Sequence, residues 1–364
     1  MGICRIITTF AAKTEKTDMI ITEVLIIGAG PAGSVCASLL KQKGKECLLV
    51  DQATFPRDKI CGGGLTPKSW QRLEQLLPGI KYDYHPVKHI RLAIDGKFAC
   101  EFDSEQELRI VKRRDFDHLL LQYYLQQGGQ LRKDAPANIQ EQSDGTIIVT
   151  MKSGEQIQCR HLVGADGSNS FVRHYLTGNK EHGILAMEQY MEKGAFDARD
   201  DIFVELSCQF DKGGDFYRFP NSEKDVVGYG DASTTPERFR EVLHSKGIAE
   251  GKFRGAFIYL SNDYPLHEHI ILIGDAGGFA NRVTCEGLFD AFETARHAAT
   301  AIVEGTSFSQ TNRPIFQKMK KEERLFGFFF SPFSLKLMRT TARLFPRIIK
   351  FCFDAKMKRE SFLR

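Results

Sequence analysis

The chain has 364 residues, 42% of them hydrophobic and 26% charged, with a net charge of +4. That length suits two intertwined domains around one ligand, and that composition excludes a disordered chain. Nine cysteines without a C-x-x-C pair argue against a disulfide framework or zinc site, and no apolar run approaches the ~18–20 residues of a spanning helix.

The first eighteen residues, 1–18, carry neither periodicity nor a motif, and Ile6 stands where N-myristoylation needs Ser or Thr. They read as an extension. Ile20–Ile27 is rich in β-branched residues and predicts a buried parallel strand. It runs into Gly28-Ala29-Gly30-Pro31-Ala32-Gly33, a helical pattern through Leu40, and a second strand, Cys47–Val50, closed by Asp51. This is a dinucleotide-binding order. Gly28 permits the turn, Gly30 lets the backbone approach a diphosphate, and Gly33 lets the helix pack on the strand. Pro31 and Ala32 open the helix, whose free N–H groups favour an anion, while Asp51 is placed to accept from a ribose. FAD and NAD(P) both fit this loop alone.

Phe55–Leu65, F-P-R-D-K-I-C-G-G-G-L, follows and brings Arg57, Cys61 and the glycines Gly62, Gly63 and Gly64 close to that loop. Arg113-Arg114-Asp115-Phe116-Asp117 opens a helix over Asp115–Gln126 with a core stripe at Phe116, Leu119, Leu120 and Tyr123. Two more strands end in acidic, helix-opening loops. His161–Val163 leads to Gly164-Ala165-Asp166-Gly167, with Arg173 a turn or so further on, and Ile270–Ile273 leads to Gly274-Asp275-Ala276-Gly277-Gly278-Phe279. Either Asp, taken alone, could equally be an ordinary helix N-cap.

From Arg313 onward, 14 Lys/Arg stand against 4 Asp/Glu, a net of +10 that leaves −6 for the rest. Within 331–364, Lys336, Arg339, Arg343, Arg347 and Lys350 recur at helical steps, with Leu337, Leu344, Ile348 and Phe351 on another face. Pro346 would kink or restart this helix. A helix lying on an anionic bilayer and a helix packed on the nucleotide domain with a solvated basic face both fit. No nucleic-acid module is present, so nucleic acid is not an expected partner.

Taken together, GAGPAG, FPRDKICGGGL, RRDFD, GADGSNSFVR and GDAGGFANRVTCEGL, over roughly residues 20–305, resemble the geranylgeranyl reductase family of FAD enzymes within the flavin hydroxylase-like fold. The resemblance implies an α/β fold, α+β overall. A discontinuous Rossmann-type FAD-binding domain would take 19–80, 107–180 and 264–308. An inserted antiparallel-sheet substrate domain would take 81–106 and 181–263, and C-terminal basic helices 309–364. It implies that Asp275 bonds the ribityl chain, that Gly277 and Gly278 lie against diphosphate or flavin, and that Arg113 contacts the cofactor. Gly274, Phe279 and Asp166 belong to the same cofactor loops.

In that fold the Phe55–Leu65 loop passes the flavin ring, so Arg57 could support charge on reduced flavin and Gly62 and Gly63 could leave room for it. Cys61 is then the candidate proton source, against the alternative of a small buried hydrophobe. Prenyl reductases usually carry Y-x-W-x-F-P on the substrate sheet. This chain has Asp215-Phe216-Tyr217-Arg218-Phe219-Pro220, which keeps Phe219 and Pro220 but makes a more polar wall through Asp215 and Tyr217. Cys285 stands where many relatives have glycine.

The expected activity is FAD-dependent reduction of C=C bonds in a prenyl lipid or related hydrophobic metabolite. Its rivals are a monooxygenase of an aromatic or quinone-like substrate and a non-catalytic, membrane-associated flavin protein. The halogenase W-x-W-x-I-P signature is absent, because Trp70 is the only tryptophan. No second strong G-x-G-x-x-G for a nicotinamide domain appears, and the sequence does not reveal whether the external donor is NAD(P)H or reduced ferredoxin. The expected location is cytoplasmic, with peripheral contact at the inner face of the membrane if the basic helix binds lipid.

Overall fold

The computed structural model describes residues 19–178, 183–207, 214–261, 263–282 and 284–359, so the extension 1–18 lies outside the described residues. The first half runs β1 (Ile20–Ile27), α1 (Pro31–Gln42), β2 (Cys47–Asp51), β3 (Gly64–Leu65), α2 (Pro67–Leu76), β4 (His85–Ile94), β5 (Lys97–Ile110), α3 (Arg113–Gln126), β6 (Gln130–Lys133), β7 (Pro136–Glu141), β8 (Ile147–Met151), β9 (Gln156–Gly164) and α4 (Phe171–Thr177). The second half runs β10 (Ile184–Glu192), β11 (Ile202–Ser207), β12 (Gly214–Pro220), β13 (Lys224–Asp231), α5 (Pro236–Ser245), β14 (Phe253–Ile258), β15 (Ile270–Leu272), α6 (Leu288–Glu304), α7 (Phe308–Thr311), α8 (Arg313–Phe329), α9 (Pro332–Leu344) and α10 (Pro346–Arg359).

One sheet has the order β6-β2-β1-β9-β8-β7, with β15 also on β9. Strands β6, β2, β1, β9 and β15 pair in parallel, and β7-β8-β9 form an antiparallel meander. Strand β1 is buried on both faces, which is why it lacks polar alternation. Val24 and Ile26 face a core shared with α1, α3 and α6, while Leu25 and Ile27 face the meander and α4. All carboxyl ends of the parallel strands therefore open on one edge, where open α/β sheets bind ligands.

The second sheet has the order β14-β10-β13-β12-β11-β4-β5-β3. It is antiparallel except for the parallel pair β11/β4. Strand β5 extends to Ile110 and pairs with β3, so this sheet reaches back into segments read from sequence as part of the nucleotide domain.

Pro346 restarts the C-terminal helix: α9 ends at Leu344, and α10 begins at the proline. These helices pack chiefly on the substrate sheet, not on the nucleotide sheet. Leu335, Ala342 and Phe330 share a small core with Ile94, Ala99 and Cys100. Among the described residues no helix is long and apolar enough to cross a membrane.

Candidate active site

The three glycine-rich loops meet because glycine allows backbone to touch backbone. A Cβ on Gly28, which has φ +106°, would lie 2.3 Å from the Ala165 carbonyl oxygen, and one on Gly33 would lie 1.8 Å from that of Gly28. Gly30 differs: only the Arg57 guanidinium, at 3.4 Å, approaches its would-be Cβ. No side chain caps α1, and Gly30, Pro31 and Ala32 line a cavity of about 1250 Å³. An uncapped helix N-terminus opening on a cavity is a ready anion site.

Asp51 lines the same cavity and anchors its loop, accepting from Ala29 N at 2.7 Å and Ala53 N at 2.8 Å. Asp166 accepts from the Ser170 hydroxyl and from the backbone N–H groups of Phe171 and Val172, so it secures the start of α4. Burial raises its carboxyl above the usual range. Arg173 staples two loops together, donating to the carbonyls of Ser168 and Ala276 while stacking 3.6 Å over the Tyr259 ring. Ser168 lines the cavity, and its hydroxyl is buried without a hydrogen-bond partner.

The Phe55–Leu65 segment forms the next wall. Arg57 sits beside Gly30, 3.5 Å from Asp117, and stacks on Phe55. Asp117 is buried and also receives Arg113 Nε at 2.8 Å. Arg113 in turn interacts with Cys61, whose sulfur accepts the Gly63 N–H at 3.4 Å. Gly62 and Gly63 both line the cavity, yet their missing side chains make room for protein. A Cβ on Gly62 would lie 2.2 Å from the Phe219 ring, and one on Gly63, at φ +78°, 2.1 Å from the Val111 carbonyl oxygen.

Strand β12 supplies the opposite wall by its period of two. Asp215, Tyr217 and Phe219 face the cavity, whereas Phe216, Arg218 and Pro220 face away. Pro220 is therefore outside the cavity wall, as are Gly33, Gly277, Gly278 and Phe279. Gly277 and Gly278 pack on Phe279 and Tyr259, and the Phe279 ring joins Tyr264 and Phe316. Gly274 and Asp275 do line the cavity.

Two carboxyls on this face stand out. Burial pushes Asp215 up to about 7. It also pushes Glu188 up to about 7, against the opposing pull of the Tyr217 hydroxyl, Arg113, the Gly62 N–H and Lys59. Sequence reasoning missed Glu188. The available signal was the alternation Val227-Gly228-Tyr229-Gly230, because Gly228 leaves the gap across which Tyr217 reaches Glu188 from two strands away. Cys285, also in the wall, adopts φ +52°, a conformation in which glycine is at ease and other residues are strained.

Beyond these polar groups the cavity becomes apolar. Leu92, Val204 and Leu206 of the sheet face Phe329, Met338 and Phe353 of the C-terminal helices across it.

Comparison with known proteins gives this geometry a context. An FAD binding domain matches residues 21–201. Relatives include the chloroplastic geranylgeranyl diphosphate reductase of Arabidopsis thaliana, 25% identical over 82% of this chain and 69% of that protein. The digeranylgeranylglycerophospholipid reductase of Methanosarcina acetivorans is 25% identical over 79% and 76% of the two chains. The menaquinone reductase of Mycolicibacterium smegmatis is 26% identical over 78% and 76%. The chain is an FAD-dependent oxidoreductase, similar over most of its length to these reductases.

Solved structures share the fold. A probable FAD-dependent monooxygenase from Pseudomonas aeruginosa, PqsL, superposes with a TM-score of 0.69 at 18% identity, covering 88% of this chain and 99% of that one. The halogenase PltM with phloroglucinol and FAD gives 0.70 at 16% identity, covering 92% and 85%. FAD is the cofactor. The uncapped α1 N-terminus, the open space at Gly30 and the unpartnered Ser168 hydroxyl fit a ligand with a diphosphate and many polar groups.

Proposed function

We propose that this flavoprotein reduces C=C bonds in a prenyl lipid or a related amphiphilic metabolite. The observation that carries the reading is the shape of the cavity. At about 1250 Å³ it exceeds the roughly 300–1,000 Å³ of ordinary ligand sites. Its polar end, at Gly30 and Asp51, suits the nucleotide, and its far end is apolar enough for a hydrocarbon chain. The two relatives that reduce geranylgeranyl groups support the same chemistry.

FAD would be held by Gly28–Ala32 and Asp51 at the adenosine diphosphate, with Arg57 beside the diphosphate and Asp275 toward the ribityl chain. When bound and reduced, it supplies a hydride equivalent. The chain's own residues do the rest. Phe219, stacked 5.0 Å from Tyr217, braces the wall along which the alkene lies. The apolar walls exclude water from it, and an acid at Tyr217, Glu188 or Cys61 supplies the second hydrogen as a proton.

Oxygen chemistry is the second reading, favoured by the polar Asp215 and Tyr217 in the wall and by the monooxygenase among the fold's neighbours. Flavin absorbance separates the two. Under argon, the chemically reduced protein is mixed with geranylgeranyl lipids and prenylated quinones. Reoxidation of the flavin by an alkene supports the reductase; reoxidation by oxygen alone, with a hydroxylated product, refutes it.

The same reading extends to where the substrate comes from. Phe333, Leu337 and Leu344 of α9, Ile348 and Phe351 of α10, and Phe345 between them are exposed, beside exposed Lys336, Arg343 and Arg347. Apolar side chains ringed by cations suit an anionic bilayer surface. Helix α10 also lines the apolar end of the cavity, through Phe353, Lys356 and Met357. A lipid could pass from that surface into the site.

A further inference from the structure

Adding hydrogen across an isolated alkene needs a proton as well as a hydride, and the cavity wall holds a pair built to deliver one. Glu188, near the middle of β10, is 3% exposed. Its register partner on β13 is Gly228, and the partner of Gly228 on β12 is Tyr217. A Cβ on Gly228 would fall 2.1 Å from the Tyr217 ring, so the ring lies over bare backbone and its hydroxyl reaches Glu188 Oε1. The other carboxyl oxygen, Oε2, is buried without a hydrogen-bond partner. A buried carboxyl with an unpaired oxygen favours the protonated acid, and in that form Oε1–H donates to the Tyr217 oxygen and frees the Tyr217 hydroxyl proton for the cavity.

We propose that Glu188 and Tyr217 form one proton-donating unit, in which Tyr217 protonates the alkene and Glu188 replaces the proton that Tyr217 gives up. This assignment rests on the alkene-reductase reading. One alkene carbon takes hydride from the reduced flavin, which loses two electrons. The other takes the Tyr217 hydroxyl proton as the C=C π bond breaks. The Glu188 proton moves to the Tyr217 oxygen in the same step, leaving a Glu188 carboxylate that water later reprotonates. Tyr217 is the catalytic residue, and Glu188 acts through it.

The surroundings suit this exchange. Lys59 of the loop, Arg113 of α3, Tyr190 of the same strand and Arg254 of β14 all face or flank Glu188, while Cys61 and Asp58 of the loop act on Tyr190. Arg254 is already paired with Asp58. Burial outweighs these cations and holds Glu188 near 7, so acid and carboxylate forms both exist at neutral pH. Tyr217 is held well above its ordinary value by burial and by Glu188, which keeps it a phenol between turnovers.

The test pairs infrared titration of the FAD-loaded, oxidised protein with anaerobic stopped-flow of the reduced protein, in wild type, Glu188→Gln and Tyr217→Phe. In wild type a carboxylic acid C=O band should disappear as pH rises through about 7. Glu188→Gln should lack that component while retaining the separate one from Asp215. Both variants should keep their flavin and its reduction by dithionite, yet reoxidise with the alkene about 100-fold or more slowly, the scale of a lost general acid. An unchanged band in Glu188→Gln, or wild-type reoxidation in both variants, overturns the assignment alone. If wild type itself is not reoxidised by any prenyl alkene, the reductase reading falls and takes the role of the pair with it.

Discussion

Replacing Gly62 by alanine tests whether the Phe219 ring, and not empty space, occupies the position its missing side chain leaves. The added methyl would sit 2.2 Å from Phe219 Cδ2 and 2.8 Å from Cε2, well inside contact distance. Gly62 does not have a positive φ, so the substitution carries no left-handed penalty and its cost is steric. Overpacking of this kind costs about 1–3 kcal/mol. Against this, the lower entropy of the unfolded chain returns roughly 0.4–1 kcal/mol. The expected net loss is about 1–2 kcal/mol. Phe219→Ala alone should also destabilise, but the double variant should recover part of the sum, because the new methyl occupies space the ring has left. The coupling should be about 1–2 kcal/mol, within the range for residues in contact. Urea unfolding followed by Trp70 fluorescence reads this directly, since Trp70 lies on α2 beside this loop with Arg109 stacked 3.9 Å over it. Strict additivity, or a neutral Gly62→Ala, would refute the packing argument.

Other outcomes follow from the same contacts. Lys68 is buried and pairs with Glu286 at 2.8 Å, so Lys68→Met should cost about 3 kcal/mol in urea unfolding by leaving that half-buried carboxylate with only the Thr66 and Ser69 hydroxyls. The Glu188 carboxyl is pushed up to about 7 in the native state from its ordinary 4.5, so between those values the native state holds the extra proton. Its contribution to stability is full at the acid end and is lost as pH rises through about 7; Glu188→Gln should flatten that share of the profile. Reversing Lys336, Arg343 and Arg347 to glutamate together should weaken sedimentation with anionic vesicles by about 100-fold or more, at ~1 kcal/mol per charge. Equal partitioning of the variant and wild type would end the membrane proposal.

The parts legible in the sequence are those whose signals are local. Strand, glycine loop and helix follow one another at Ile20–Gln42 and at His161–Thr177, whereas after Ile270–Leu272 the Gly274 loop makes only one tight turn and the helix begins at Leu288. The apolar and basic periodicity of 331–359 likewise marks helices, and Pro346 marks their break. What those helices pack against is a matter of tertiary docking, and the substrate sheet proves to be their partner. Glu188 was hidden for the same reason. Its meaning depends on strand register across β10, β13 and β12, which joins residues 29 positions apart through a glycine. The glycines of Phe55–Leu65 illustrate the converse: their presence was plain, but what fills their space depends on Phe219, far along the chain.

The central claim is reduction of an alkene, and the mass of the product after one anaerobic turnover tests it most directly. Chemically reduced protein incubated without oxygen with a geranylgeranyl lipid should yield a product heavier by two hydrogens, with deuterium at both former alkene carbons when reduction and turnover are run in deuterated water, because the hydride and the proton both derive from exchangeable positions. A product heavier by one oxygen, formed only when air is admitted, would contradict the account.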